Sequence, residues 1–506
     1  MKKPALTTIL ALILSTTAFA EFRTLQPSEL KQDFALMKRA LTELHPGLYR
    51  YSSQEETAKR FDEFEAKLYE PMREDRFFIL LSQFLSEIKC GHTYVNPFNQ
   101  KKEIFERFTD GKTYFPVYFR FVDGFFVVTE NASPSELPKG TAITSINGAG
   151  IDEIVKTLSS VTTADGEGTN ATRLNSIDLT RKNGGTFALF DIYFPLFYPP
   201  ENGSFRIETF DPETGKESKL DVPALTRQER NSEMERRYGK TPSYDDGWKF
   251  SYLEDGTGYL RIGNFITWRL SFDWKKFLSG AFGEMRKKGT RDLIIDIREA
   301  DGGDSSIPVE IQRYLSSEPL ECASRNRAYI RTAKAEPELL RYIEVYDKEL
   351  KAALASGLDK ELFQPAENGL LEYLGDRKPC EKIAPYENRF TGDTYLLTGP
   401  ANASAAFTLA KSVKDAGLAT LVGRPTGGNL KGFNGGAYLF FNLPNSGFEF
   451  DIPVFAYHPM DTSKAEDSGV IPDVNAGTSV GDVSSGFDRA LESASKLIRE
   501  KRSASK

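Results

Sequence analysis

Residues Thr394-Tyr-Leu-Leu-Thr-Gly-Pro-Ala-Asn-Ala-Ser404-Ala-Ala-Phe407 run from a continuous apolar segment, through Gly399-Pro400, into small residues that open a helix-periodic stretch reaching Ala416. An apolar strand without polar alternation is covered on both faces. A serine where such a strand turns into a helix projects at the strand's carboxyl end, beside N–H groups that no helical carbonyl satisfies. The same pattern recurs on either side. Strand Gly258–Ile262, helix Phe272 to Lys288, strand Leu293-Ile-Ile-Asp-Ile297 and helix Val309 to Leu315 precede it, and strand Thr420-Leu-Val422 follows. This alternation predicts an α/β domain over about 246–500.

Two regions of different texture lie upstream. From 21 to 110 apolar residues recur at helical spacing, as in Phe34 to Leu44 and Phe77 to Ile88, with His45-Pro46-Gly47 as a break. From 111 to 240 the runs Tyr114 to Val122, Phe125 to Thr129, Leu137 to Asn147-Gly148 and Ser204 to Phe210 read as strands, joined by Asp-Gly and Asn-Gly turns, with a short helix from Ile151 to Leu158. A polar linker is expected over Gln228 to Asp246, and a charged, helix-prone insertion over about 334–374. The chain is thus expected to be α/β overall, an α+β multidomain arrangement.

The first residues combine Lys2 and Lys3, an apolar run from Ala5 to Ile13, and Ala18-Phe19-Ala20. This is the pattern of a secretory signal peptide over 1–20, cleaved after Ala20, and it implies a periplasmic or secreted protein. The net charge of −7 is mild and both signs are mixed along the chain, so neither nucleic acid nor a membrane is the expected partner. Of the three cysteines, Cys322 and Cys380 could pair in an oxidising compartment, a connectivity that sequence does not fix, and Cys90 reads as a small buried apolar residue. Three scattered histidines and no paired cysteines give no metal signature, and Gly423 to Gly428 lacks the Gly-Lys-Ser/Thr end of a phosphate loop, so no cofactor is expected.

Three short motifs carry candidate chemistry. Ser404 is either a helix cap or a nucleophile. Gly302-Gly303, following the strand that ends at Ile297, is either a tight turn or a loop whose N–H groups meet a developing oxyanion. A serine needs a base, and the histidines are His45, His92 and His458. His45 and His458 each precede proline, a structural context, whereas His92 stands in Lys89-Cys-Gly-His-Thr just past a helix.

Taken together, Gly91-His92, Asp296-Ile-Arg298 with Gly302-Gly303, Ser404-Ala405 and Gly423-Arg-Pro-Thr-Gly-Gly428 resemble, in that order, the tail-specific (carboxyl-terminal processing) serine peptidases. The similarity is closest to the branch with the tricorn core and the interphotoreceptor retinoid-binding repeats. It implies a crotonase-like catalytic domain with a mixed sheet, and a divergent PDZ-like module over 111–240. Where the bacterial tail-specific members carry a lysine base, this chain has Asn429, which argues for the histidine chemistry of the tricorn branch. The resemblance then implies Ser404 as nucleophile, His92 as base and Glu466, in Glu466-Asp-Ser-Gly-Val470, as orienting acid. Backbone N–H groups of Gly302, Gly303 and Ala405 form the implied oxyanion hole. Departures are Gly91, where the branch has serine, and Asp301, where a third glycine is common.

The expected activity is hydrolysis of peptides or unfolded proteins through an acyl-enzyme. Two other readings use the same fold: a non-catalytic binder of apolar ligands, and an esterase-type acyl hydrolase. Oligomeric state is not legible.

Overall fold

The computed structural model describes residues 22–168, 170–181, 188–321, 326–375, 382–463 and 465–504. The expected signal peptide, Cys322 and Cys380 lie outside these residues.

The α/β sheet has the order Val474–Asn475, Thr420–Gly423, Asp393–Thr398, Asp292–Asp296, Gly258–Ile262, Trp248–Tyr252. Its strands are parallel except the last, which runs antiparallel to Gly258–Ile262. Successive residues of each strand feed opposite layers, which is why these segments are apolar throughout. Leu293 and Ile295 pack with Phe282 and Met285 of helix Trp274–Lys288, Ile307 and Ile311 of Ser306–Leu315, and Leu409 and Val413 of Ser404–Asp415. Ile294, on the other face, joins Tyr395, Leu397 and Val422 against Ala490, Ala494 and Ile498 of helix Arg489–Ala504.

A second sheet is built on the long antiparallel hairpin Phe433–Asn442 and Glu449–Pro459. The segment expected as a helical insertion does hold helix Lys348–Ser356, capped by Asp347. It also supplies strands Ile343–Glu344, Phe363–Pro365 and Leu371–Tyr373 to this hairpin's sheet, so it is not helical throughout. The N-terminal helices Pro27–Leu44 and Glu74–Ser86 pack on the hairpin in one core, in which Phe448 meets both Phe77 and Phe78.

The third sheet, in the order Val117–Val122, Phe125–Asn131, Ala142–Ile146, Ser204–Phe210, Glu217–Pro223, is antiparallel throughout. Asn147 and Gly148 both take positive φ, 51° and 81°, as the predicted tight turn requires. The first part of the expected linker is in fact helix Arg227–Tyr238, entered through a Thr226/Glu229 capping box. Its polarity is misleading. Arg230 points inward, fully buried, and makes a bidentate pair of 2.6 and 2.7 Å with equally buried Asp191 between the rings of Tyr114 and Tyr118.

Candidate active site

The parallel register pairs Arg261 with Asp296, Asp296 with Leu397 and Thr398 with Gly423, so the loops that leave these strands emerge along one edge. In an α/β sheet this carboxyl edge is where ligands bind. Ser404 is the first residue of its helix and holds φ at +49°, a left-handed conformation costly for a residue with a Cβ, about 1–3 kcal/mol. It sits against the glycine loop. A Cβ on Gly302 would fall 2.8 Å from the Ser404 Cβ and 3.1 Å from the Ala403 carbonyl, so only glycine allows this approach. Gly303 bridges to Phe265, whose carbonyl oxygen would lie 2.3 Å from an added Cβ. Ala405 is buried next to the serine, and as a first-turn residue its N–H has no helical acceptor. Gly302, Gly303, Ser404 and Ala405 are therefore assembled at one place.

Asn402 welds the two loops. Its Nδ2 donates to the carbonyls of Ile297 and Ala300, the latter at 2.9 Å, and its Oδ1 accepts from the Gly399 N–H at 2.8 Å. Below them Arg298 makes paired hydrogen bonds to Asp296 (2.9 and 2.7 Å) and to Asp488 (2.7 and 2.8 Å), and Tyr259 donates to Asp296 at 2.7 Å. Burial works to raise the Asp296 carboxyl, but the Arg298 guanidinium outweighs it and holds the group below the usual carboxylate range. The Asp-x-Arg motif thus ties the central strand to the C-terminal helix instead of entering the chemistry.

The histidines separate by their partners. In His45 the Nδ1 accepts from the Gly47 N–H at 3.0 Å and the Nε2 lies 2.8 Å from Thr93 Oγ1, so both nitrogens are committed. Burial, with Arg331 and Arg50 nearby, depresses it to about 3. His458 is held by Arg50 at 3.1 Å and lowered to about 4, first by burial and then by that guanidinium. His92 keeps a buried Nδ1 with no hydrogen-bond partner, and its ring lies 5.6 Å from the Tyr438 ring at the hairpin. Cys90 is fully buried, accepts from Thr93 at 3.3 Å, and is pushed by burial up to about 11, which leaves no thiolate for nucleophilic work.

The loop before His92 is fastened by Asp165, whose carboxylate accepts from the Gly91 N–H at 2.9 Å while Gly166 N–H donates to Lys89 O at 3.0 Å. Asn429, wholly buried, donates to the Asp165 carbonyl at 3.0 Å. Lys431 is half-exposed and lies 3.9 Å from Asp467, a weak surface pair. Glu466 is exposed, and among the described residues no hydrogen bond joins it to His92. Asn402, Asp165 and Tyr438 escaped the sequence reading; Asn402, two residues before Ser404 in a small-residue loop, was the only one with a local signal. Among the described residues no group of His, Cys, Asp and Glu is arranged to hold a metal ion.

Comparison with known proteins bears on this arrangement. Residues 256–476 match the model of peptidase family S41. The chain is similar to the solved structure of mature CPAF, with 16% identity, 93% of this chain and 96% of that chain covered, and a TM-score of 0.60. It is similar also to mature CPAF complexed with lactacystin, with 15% identity, 93% and 97% covered, and a TM-score of 0.59. For the photosystem II D1 C-terminal processing protease the values are 15% identity, 89% and 93% covered, and a TM-score of 0.40. No curated protein matches the chain. The CPAF likeness extends the shared fold over nearly the whole chain, and the matched segment is the one that carries Ser404, both glycines and the Asp296–Arg298 pair. Residues 256–476 therefore match peptidase family S41, and the segment that they span makes the chain a serine peptidase.

Proposed function

We propose that this peptidase is an exported enzyme that cleaves peptides or unfolded proteins with Ser404 as nucleophile and His92 as general base. The supporting observation is the strained placement of Ser404 at a helix start, φ +49°, in contact with Gly302 and beside the unsatisfied first-turn N–H of Ala405. A residue that needed only to cap a helix would not adopt that backbone. His45 has both ring nitrogens engaged and His458 is held by Arg50, whereas the buried His92 Nδ1 has no hydrogen-bond partner. Ser404 attacks the peptide carbonyl and His92 takes its proton. The oxyanion is met by N–H groups of Gly303, Gly302 and Ala405, and His92 returns the proton to the leaving amine before water resolves the acyl-enzyme. Glu466 is the acid that the resemblance supplies.

A container for apolar ligands fits less well. A cleft of ≈ 520 Å³ near this edge of the sheet is charged, with Arg120, Lys139, Arg298, Glu299 and Arg424 among its lining, and it does not include Ser404 or His92. The test is labelling of the mature protein with a fluorophosphonate probe. Wild type and Lys431→Ala are expected to label, and Ser404→Ala and His92→Ala to lose labelling. Folded wild type that does not label would overturn the reading.

A further inference from the structure

His92 follows a turn that is held from outside its own stretch of chain. Helix Glu74–Ser86 ends before it, and Lys89, between the two, takes φ +58°, a left-handed conformation that is costly for a residue with a Cβ. Residues 163–168, in the loop that follows helix Ile151–Ser159 of the β-rich module, close on this turn. The Lys89 carbonyl accepts from the Gly166 N–H at 3.0 Å, and the Lys89 ammonium pairs with Glu167. The Gly91 N–H donates to the Asp165 carboxylate at 2.9 Å, and the Gly91 carbonyl accepts from Thr163 Oγ1 at 3.4 Å. Both backbone groups of the residue before His92 are thus engaged by one short segment. Asp165 is buried, and a Cβ on Gly91 would stand 3.1 Å from its Oδ2, tighter than ordinary contact. It is the missing side chain at 91 that lets the carboxylate close on that N–H.

The same segment reaches the other two loops of the site. Asn429 donates to the Asp165 carbonyl at 3.0 Å and to Asp467 at 2.6 Å, and the Gly168 N–H donates to Asp467 at 3.2 Å, next in sequence to Glu466. Thr172, a little further on, donates to the Pro400 carbonyl at 3.1 Å, in the turn that leads to Ser404. We propose that Asp165 is a positioning residue for His92: acting through the Gly91 N–H, it sets where the imidazole stands relative to Ser404. The inference rests on His92 being the base, and it leaves Glu466 its part. A general base works only within hydrogen-bond reach of the proton it removes, and a misplacement of about 1 Å costs about 100-fold in rate. What Asp165 supplies is an acceptor at a fixed place, so an amide of the same shape serves the Gly91 N–H as well, whereas alanine leaves it without a partner.

The test is saturation kinetics of fluorophosphonate labelling, which separates the maximal rate kinact from the binding constant KI, on mature wild type, Asp165→Ala, Asp165→Asn and Gly91→Ala, with thermal melts to show that each is folded. Asp165→Ala is expected to lower kinact about 10-fold with KI unchanged, and Asp165→Asn to recover most of it. Gly91→Ala, which pushes the carboxylate off the N–H without removing it, is expected to slow kinact in the same way, and it keeps the test decisive should Asp165→Ala not fold. A wild-type kinact in folded Asp165→Ala or folded Gly91→Ala would overturn the proposal, as would a loss confined to KI, or an Asp165→Asn variant as slow as Asp165→Ala. Failure of the base assignment is separate, since it shows as wild-type labelling in His92→Ala.

Discussion

Asn429 and Asp467 are joined by a hydrogen bond of 2.6 Å, and the same amide reaches the Asp165 carbonyl at 3.0 Å. The position that bears a lysine base in bacterial tail-specific peptidases is here a strut between the loop that fastens Gly91 and the loop that holds Glu466. Gly168 adds a third tie, its N–H donating to Asp467 at 3.2 Å. There is no room for a longer side chain, because Gly166 lies so near that its own Cβ would stand 2.2 Å from the Asn429 amide nitrogen. Asn429→Lys is therefore expected to cost about 1–3 kcal/mol through overpacking, read as a lowered urea midpoint. In a His92→Ala background it is expected to restore no labelling; recovery to even a tenth of the wild-type rate would mean that this site can run Ser/Lys chemistry.

The ion pair of Arg230 and Asp191 makes a second prediction. Both side chains are wholly buried, so removing one partner strands the other's charge. Asp191→Ala is expected to destabilise the β-rich module by about 3–5 kcal/mol. Replacing both, with Arg230→Met and Asp191→Leu, is expected to recover most of that loss, because the pair's own desolvation disappears with it. Thermal melts of the two variants check this; a double variant as weak as the single one would show that the pair is needed for more than charge balance.

Acid sensitivity should be shared by His45 and His458, and His45 is the fully buried one. Its value is lowered in the folded state to about 3, from an ordinary 6.5, so the unfolded chain binds the proton first. The stability it confers is complete above about pH 6.5 and is lost as pH falls toward the folded value, amounting to about 2 kcal/mol by pH 5. Urea unfolding at pH 7 and pH 5 is expected to show this loss in wild type and a smaller one in His45→Gln. An equal loss in both would place the acid sensitivity elsewhere.

Much of the fold could be read from residue patterns because the strands of the α/β sheet are apolar on both faces and the tight turns carry their own residue types. Gly258–Ile262 and Ser204–Phe210 occupy the predicted positions, and Asn147-Gly148 makes the predicted turn. Where the pattern misled, a polar residue had been brought inside. Helix Arg227–Tyr238 buries Arg230 on the face where a periodicity argument looks for leucine, so it read as linker. The region 334–374 is rich in charge, yet it lends three short strands to a sheet whose other members lie at 326–330 and 433–459, a pairing that no local signal announces. At the site, Ser404 and the two glycines could be found from small residues at strand ends. Tyr438 could not, because its contact with His92 comes from a hairpin far downstream.

Asn402 has a wider consequence. Because one buried amide holds Ile297, Ala300 and Gly399 together, the glycine turn and the serine turn form a single rigid jaw. His92 rides on a different body, the N-terminal helices and the hairpin they pack against. The serine side of the cleft is thereby braced as one piece, while His92 is carried on separate walls.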